Sequence, residues 1–325
     1  MSFEINLQKK TSATIQDDNK IYDLLILGAG PAGLNAALYA KRKGLETLII
    51  ARDKGGQVMD TSSVENYLGL PSLSGEGLVK KFLEHVKELN VTILEYEEVE
   101  KLQNDTESNV KIVTLKSGKA FRTKTVIIAT GSKPRRLGIT GEKEFSGKGV
   151  CYCAICDGPL FAEEEVVVAG GGNSAVEAAL DLSKIAAKVT LVHRSQFRAD
   201  KVLVDQLIQK PNVEIKLATE ILEVIGGKFM SGIRVLDKES SKEYIIEASG
   251  LFVEIGYLPN SEMFAGFVEL NSRNEIAVDR YGMTSVPGVF AAGDVTDTPY
   301  KQIIMSAADG AKCALAANDY INNLK

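Results

Sequence analysis

Two glycine-rich turns constrain this chain more than any other feature. Gly28-Ala29-Gly30-Pro31-Ala32-Gly33 and Gly170-Gly171-Gly172-Asn173-Ser174-Ala175 each stand between a short apolar run and a stretch of helical periodicity. The first follows the β-prone run Ile21 to Leu27 and opens a helical pattern that reaches about Lys43, where Gly44 supplies a stop; a second apolar run, Leu45 to Ile50, comes next. The second follows Val166 to Ala169 and opens a helix over Val176 to Lys184, which leads into a strand from Val189 to His193. In such a setting the glycines allow a tight turn, let the backbone approach a pyrophosphate, and bring helix close to strand. The helix N-terminus then offers free N–H groups and a positive dipole end to phosphate. One such turn also arises for purely structural reasons. A second unit of the same kind makes that explanation weaker, so the pattern predicts an α/β fold with two Rossmann-like, three-layer ββα nucleotide-binding domains.

The residues after each second strand differ. The first runs into Ala51-Arg52-Asp53, leaving Asp53 as the one acid available to a ribose. The second ends in His193-Arg194, with Arg198 close by and no acid. Basic side chains there suit a 2′-phosphate, so NADPH is preferred to NADH, the alternative being ordinary solvated charge. Val126 to Ala129 reads as another buried strand, Ser132 to Arg136 as a linker, and Lys216 to Leu251 as a β-meander. Gly250 to Val253 and Gly288 to Asp294 are strand-like runs ending in turn residues, and Met305 to Leu324 is a helix with an Ala-rich face. No linker separates this tail from the meander, so the chain is expected to return and complete its first domain.

Three of the four cysteines crowd into Cys151-Tyr152-Cys153-Ala154-Ile155-Cys156, unlike the spread bridges of a secreted framework. The C-x-x-C spacing of Cys153 and Cys156 can bring two sulfurs within disulfide reach, and Asp157 can pass protons to and from a thiolate. Zinc ligation and inert burial are the competing readings. Zinc wants four ligands, and the two histidines, His85 and His193, lie far off in sequence with no second C-x-x-C. Redox chemistry is therefore favoured and no metal is expected. Cys313, in the Ala-rich helix, reads as a core residue, Cys151 as a bystander, and His85 as a surface residue.

A net charge of −5 and the absence of a Lys/Arg block give no footprint for nucleic acid. Met1 to Lys20 has no apolar leader-like core, and no later run approaches the ~18 apolar residues of a membrane span. A cytoplasmic protein without a membrane partner is expected.

Taken with Gly55-Gly56-Gln57, Val64-Glu65-Asn66, Ala129-Thr130-Gly131, Cys153-Ala154-Ile155-Cys156-Asp157-Gly158 and Gly293-Asp294, the two turns resemble the low-molecular-weight thioredoxin reductases from about Ile21 to Leu324. Gly158-Pro159-Leu160-Phe161 and Pro299-Tyr300-Lys301-Gln302-Ile303-Ile304 are especially similar to the flavoprotein of the alkyl hydroperoxide reductase system. That protein carries an N-terminal thioredoxin-like module not found in this sequence, so a separate dithiol acceptor is expected.

The resemblance implies that residues 1–133 and 251–325 form an FAD domain and residues 134–250 an NAD(P)H domain carrying the dithiol. FAD would be held by Gly28, Gly30, Pro31, Ala32, Gly33, Gly56, Gln57, Asn66, Ala129, Thr130, Gly131, Gly293, Asp294 on the ribitol, Gln302 and Ile303. NAD(P)H would be held by Gly170, Gly172, Asn173, Ser174, Ala175, His193, Arg194 and Arg198. Cys156 would face the flavin while Cys153 exchanges with a thioredoxin or a thioredoxin-like partner, in a homodimer whose nucleotide domain swivels. A glutaredoxin-like or peroxiredoxin-linked carrier is the alternative acceptor. One departure matters: the family pattern His-Arg-Arg followed by a further Arg reads here His193-Arg194-Ser195-Gln196-Phe197-Arg198, one arginine fewer and one residue shorter. This weakens the preference for NADPH and leaves NADH as a second donor. Relatives with a degraded signature take electrons from ferredoxin, against which the intact second turn argues.

Overall fold

The computed structural model describes residues 20–61, 64–70, 72–105 and 108–324. The N-terminal segment considered above, apart from Lys20, lies outside them.

The first unit is built on β1 (Ile21–Ala29), α1 (Pro31–Arg42), β2 (Thr47–Lys54), α2 (Gly75–Glu88), β3 (Thr92–Leu94), β4 (Val99–Asn104), β5 (Lys111–Leu115) and β6 (Ala120–Ile128). Strand β1 reads as a continuous apolar run because both of its faces are covered. Leu24 and Ile26 face helix α1, while Leu25 and Leu27 face the opposite layer, which includes Val113, Leu115 and Phe264. Pro31 at the first turn of α1 gives up an N–H that the helix would not have used, and Ser74 caps α2 by accepting from the Gly77 N–H at 3.0 Å. The sheet order is β3-β2-β1-β6-β5-β4, parallel through β6 and antiparallel beyond it.

From β7 (Ser132–Pro134) the chain enters a second unit of β8 (Val150–Cys151), α3 (Ala154–Asp157), β9 (Glu165–Ala169), α4 (Asn173–Leu182), β10 (Lys188–Val192), α5 (Lys201–Ile208), β11 (Val213–Lys216), β12 (Thr219–Gly226), β13 (Met230–Asp237), β14 (Lys242–Glu247) and β15 (Gly250–Val253). Its parallel sheet has the order β11-β10-β9-β15-β8, and β12-β13-β14 form the expected antiparallel meander. Val166 and Val168 pack towards helix α4, Val167 and Ala169 towards the meander. Helices, parallel sheet and antiparallel strands therefore stack in three layers, as in the first unit.

The chain leaves through β16 (Tyr257–Pro259), and β17 (Val289–Ala291) and α6 (Ile303–Asn323) return to the first unit, where β17 pairs in parallel with β6 and α6 packs on α1. Sequence had put the return at residue 251. Gly250–Val253 pairs instead with β9 in the second sheet, because a short apolar run fits either parallel sheet and only pairing decides between them. The expected linker at Ser132 to Arg136 is in part a strand: Ser132, Lys133 and Pro134 pair antiparallel with Pro259, Leu258 and Tyr257. The two crossings between units are thus hydrogen-bonded to each other.

Candidate active site

A cavity of about 1460 Å³ opens at the carboxyl ends of β1 and β6 and extends to the dithiol. On its wall lie Gly28, Gly30, Pro31, Ala32, Gly56, Gln57, Asn66, Ala129, Thr130, Gly131, Asp294, Gln302 and Ile303 of the sequence-derived FAD set, together with Asp53. Gly33 and Gly293 stand behind the wall. A Cβ on Gly33 would come 1.9 Å from the Gly28 carbonyl oxygen, so this glycine sets the approach of α1 to β1. Gly293, at φ +74°, packs against Ala32 and Ser306.

Two features of the cavity suit a dinucleotide. The N-terminus of α1 has no side-chain cap, leaving its first N–H groups for an anion. Asp294 accepts from Ser306 Oγ at 3.0 Å and sits 3.4 Å from Gln57 Nε2, and burial raises its pKa, so a hydroxyl donor there would be welcome. Asn66 Nδ2 donates to Gln302 Oε1 at 3.2 Å, tying a loop of the first half to the start of α6. Asp53 is exposed and paired with Arg52 at 3.0 Å.

The same wall includes Cys153, Cys156 and Asp157. Cys153 and Cys156 form a disulfide with Cα atoms 5.3 Å apart, which takes both sulfurs out of thiolate ligation. Cys153 caps the short helix α3, its Sγ accepting the Cys156 N–H at 3.2 Å, a contact that favours thiolate at Cys153 once the bridge opens. Burial lifts Asp157 from 3.8 to about 6, partly opposed by the hydrogen bond from the Cys151 thiol. That carboxyl is poised to take or give a proton near neutrality. Burial and the adjacent Asp157 push the Cys151 thiol far up, which keeps it protonated and makes it Asp157's partner rather than a third exchanging thiol. Cys313 is fully buried, its Sγ 3.2 Å from the Ala291 carbonyl oxygen and its pKa pushed up to about 12 by burial, as suits a core thiol. His85 is exposed on α2.

The second glycine turn lies away from this cavity, at the end of β9. Gly172 is open to an approaching group, and α4 begins without a side-chain cap. The Asn173 side chain exchanges two hydrogen bonds with Asp200, each 2.8 Å, and the Arg198 N–H donates to the Gly171 carbonyl at 2.7 Å, fixing the Arg198 loop beside the turn. His193 is buried with its ring against Gly171 and its Nε2 3.1 Å from Ser195 Oγ. Burial, then Arg198 and Arg194, lower its pKa, so it stays neutral and the cationic charge at this site belongs to Arg194 and Arg198.

Sequence reasoning missed Tyr257, Glu254, Tyr152 and Glu142. Tyr257 donates its hydroxyl to the Tyr152 carbonyl. The Tyr152 hydroxyl reaches Glu142 at 3.2 Å, and Glu142 also accepts the Leu137 and Gly138 N–H groups. The one local hint was a carboxyl, Glu254, closing the apolar run Leu251-Phe252-Val253.

Two glycine turns on separate sheets, a cavity suited to a dinucleotide and a disulfide on its wall have the layout of the FAD- and NAD(P)H-dependent disulphide oxidoreductases. The chain belongs to the pyridine nucleotide-disulphide oxidoreductase family, whose model matches residues 22–312. It is 46% identical over 302 residues to an alkyl hydroperoxide reductase component from Pseudomonas putida, covering 92% of this chain and 58% of that protein. It is 42% identical over 312 residues to an NADH dehydrogenase of Bacillus subtilis, covering 96% of this chain and 61% of that one. The chain thus spans about three fifths of these curated relatives. Among solved structures, thioredoxin reductase from Streptococcus pyogenes matches with a TM-score of 0.89 and 36% identity, covering 94% of this chain and 99% of that one. Among the described residues no helix is long and apolar enough to cross a membrane.

Proposed function

We propose that the protein is a thioredoxin-disulfide reductase, moving electrons from NAD(P)H through FAD to Cys153 and Cys156 and on to the disulfide of a thioredoxin-like protein, as a homodimer. The observation that supports it best is the placement of the Cys153–Cys156 disulfide on the wall of the cavity lined by the first glycine turn. When bound, FAD would accept a hydride from the coenzyme and release two electrons to the disulfide. The first turn, Asp294 and Gln302 would hold it. Once the bridge is open, the Cys153 thiolate attacks the acceptor disulfide and expels one acceptor sulfur as thiolate. Cys156 then attacks Cys153, releasing the second sulfur and restoring the bridge. Asp157 holds the proton that these thiolates exchange. Domain limits near 133 and 250 follow the same reading, adjusted to the crossings at β7 and β16.

A second acceptor, a peroxiredoxin-linked carrier, is favoured by the 46% identity to an alkyl hydroperoxide reductase component. Separate assays with a thioredoxin, a glutaredoxin and a peroxiredoxin-linked carrier rank the candidates. In Cys153→Ser, anaerobic NAD(P)H should still bleach the flavin while disulfide turnover is abolished. Full turnover in that variant rejects the assignment.

A further inference from the structure

Strand β15 lies between β9, which ends in the second glycine turn, and β8, which leads to the dithiol. All three run parallel, so their carboxyl ends share one edge of the sheet. From β9 the chain proceeds outward to β10 and β11, and β15 adds to the other side of β9. The gap between the ends of β9 and β15 is therefore the switch point of this sheet, where open α/β sheets bind their ligands. Glu254 follows directly on β15. Its N–H donates to the Ala169 carbonyl at 2.9 Å, and a Cβ on Gly170 would lie 2.3 Å from its carbonyl oxygen. Its side chain turns to the other neighbour, Oε1 accepting the Ala154 N–H of α3 at 3.3 Å. Among the described residues no cation forms an ion pair with Glu254, and Oε2 has no hydrogen-bond partner.

We propose that Glu254 recognises the nicotinamide end of the coenzyme, its carboxylate favouring the cationic oxidised ring over the neutral reduced one. Loss of a hydride, with both bonding electrons, leaves the ring with a positive charge, and the acceptor is the flavin of the proposed function. An unpaired carboxylate at the switch point stabilises that charge as it develops and retains the oxidised product. The glycine turn and the arginines at Arg194 and Arg198 act on the phosphates and the adenosine end. Glu254 is the group on this edge able to sense which redox state the coenzyme is in.

Burial raises the Glu254 carboxyl from 4.5 to about 7, against the hydrogen bond from Ala154. The titratable groups on the surrounding elements are Tyr257 on β16 and Asp157 on α3. Burial, then the carboxyls of Glu254, Asp294 and Asp157, hold the Tyr257 phenol protonated. The β9 turn contributes no charge, and Arg135 packs beside Gly256 on the first crossing. Tyr257 stays neutral over the working range; Asp157 and Glu254 are both lifted towards neutrality by burial, so removal of the Glu254 carboxyl alone separates its charge from that of Asp157.

The proposal rests on NAD(P)H use but not on the identity of the disulfide acceptor. Calorimetry on the oxidised holoenzyme would measure Kd for NAD⁺ and for the 1,4,5,6-tetrahydro analogue of NADH, whose ring is neutral and transfers no hydride. In the wild type, NAD⁺ binding should tighten about tenfold from about pH 6 to about pH 8.5, about 1.4 kcal/mol, while the analogue changes little. In Glu254→Gln the tightening specific to NAD⁺ should be lost, the two ligands then following the same pH dependence, with unchanged flavin absorbance and circular dichroism. A Glu254→Gln protein that keeps the NAD⁺-specific tightening overturns the proposal alone. A wild type that binds neither ligand, nor NADP⁺, overturns the coenzyme reading with it.

Discussion

Replacing Asp157 with Asn should make the protein more stable and at the same time impair disulfide exchange. Asp157 is half-buried beside Cys151 on the cavity wall, and burial lifts its pKa from 3.8 to about 6. For an acid whose pKa is raised by folding, the native state binds more protons than the unfolded chain between those two values, so stability falls as pH rises through that window. The full cost of keeping the group ionised is about 3 kcal/mol above pH 7, and about half of that near pH 5. Asparagine has nearly the shape of the protonated acid and carries none of this cost. Thermal unfolding followed by flavin fluorescence should therefore show the variant gaining over wild type, by a margin that grows from about pH 5 to about pH 7.5, at about 2–4 °C per kcal/mol. The same variant should lose about 10²- to 10⁴-fold in the dithiol half-reaction while flavin reduction by NAD(P)H is retained. A variant no more stable than wild type at pH 7.5 refutes the burial argument, and undiminished turnover refutes the proton-transfer role.

Gly33→Ala would set a methyl 1.9 Å from the Gly28 carbonyl, pushing α1 off β1; purified protein should carry less than one flavin per chain and unfold at lower temperature. Arg198→Ala, at the loop held to Gly171, should raise KM for NADPH more than for NADH, by about tenfold or more, in steady-state assays. Equal effects on both coenzymes would remove Arg198 from 2′-phosphate recognition.

The strand-turn-helix units were legible because their constraints are local: a buried parallel strand must be apolar throughout, and a glycine must stand where a Cβ would strike a carbonyl, as at Gly33 and Gly170. The dithiol was legible from spacing and from the acid beside it. Strands β4 and β5 were not picked out: in β4 the exposed Glu100 and Lys101 stand between buried Val99 and Leu102, and β5 is five residues long and opens on a buried lysine, Lys111. The error at Gly250–Val253 has another cause, since an apolar strand does not encode which sheet it joins. Glu254 and Tyr257 escaped notice because their meaning comes from contacts about a hundred residues away, with Ala154 and Tyr152. His193 was read as part of a charged cluster, but its burial against Gly171 makes it a neutral wall.

The pairing of β7 with β16 makes the whole stretch between Pro134 and Tyr257 a closed loop in space, because its two ends face each other as partners in one ladder. Such a segment is a cassette. Excising it would leave the remaining ends of the first unit already at splicing distance, to be joined by a short turn, and the freed piece could be circularised or permuted without stretching either terminus. Recombination that exchanges the inserted unit between relatives therefore has to match one short ladder rather than two independent junctions.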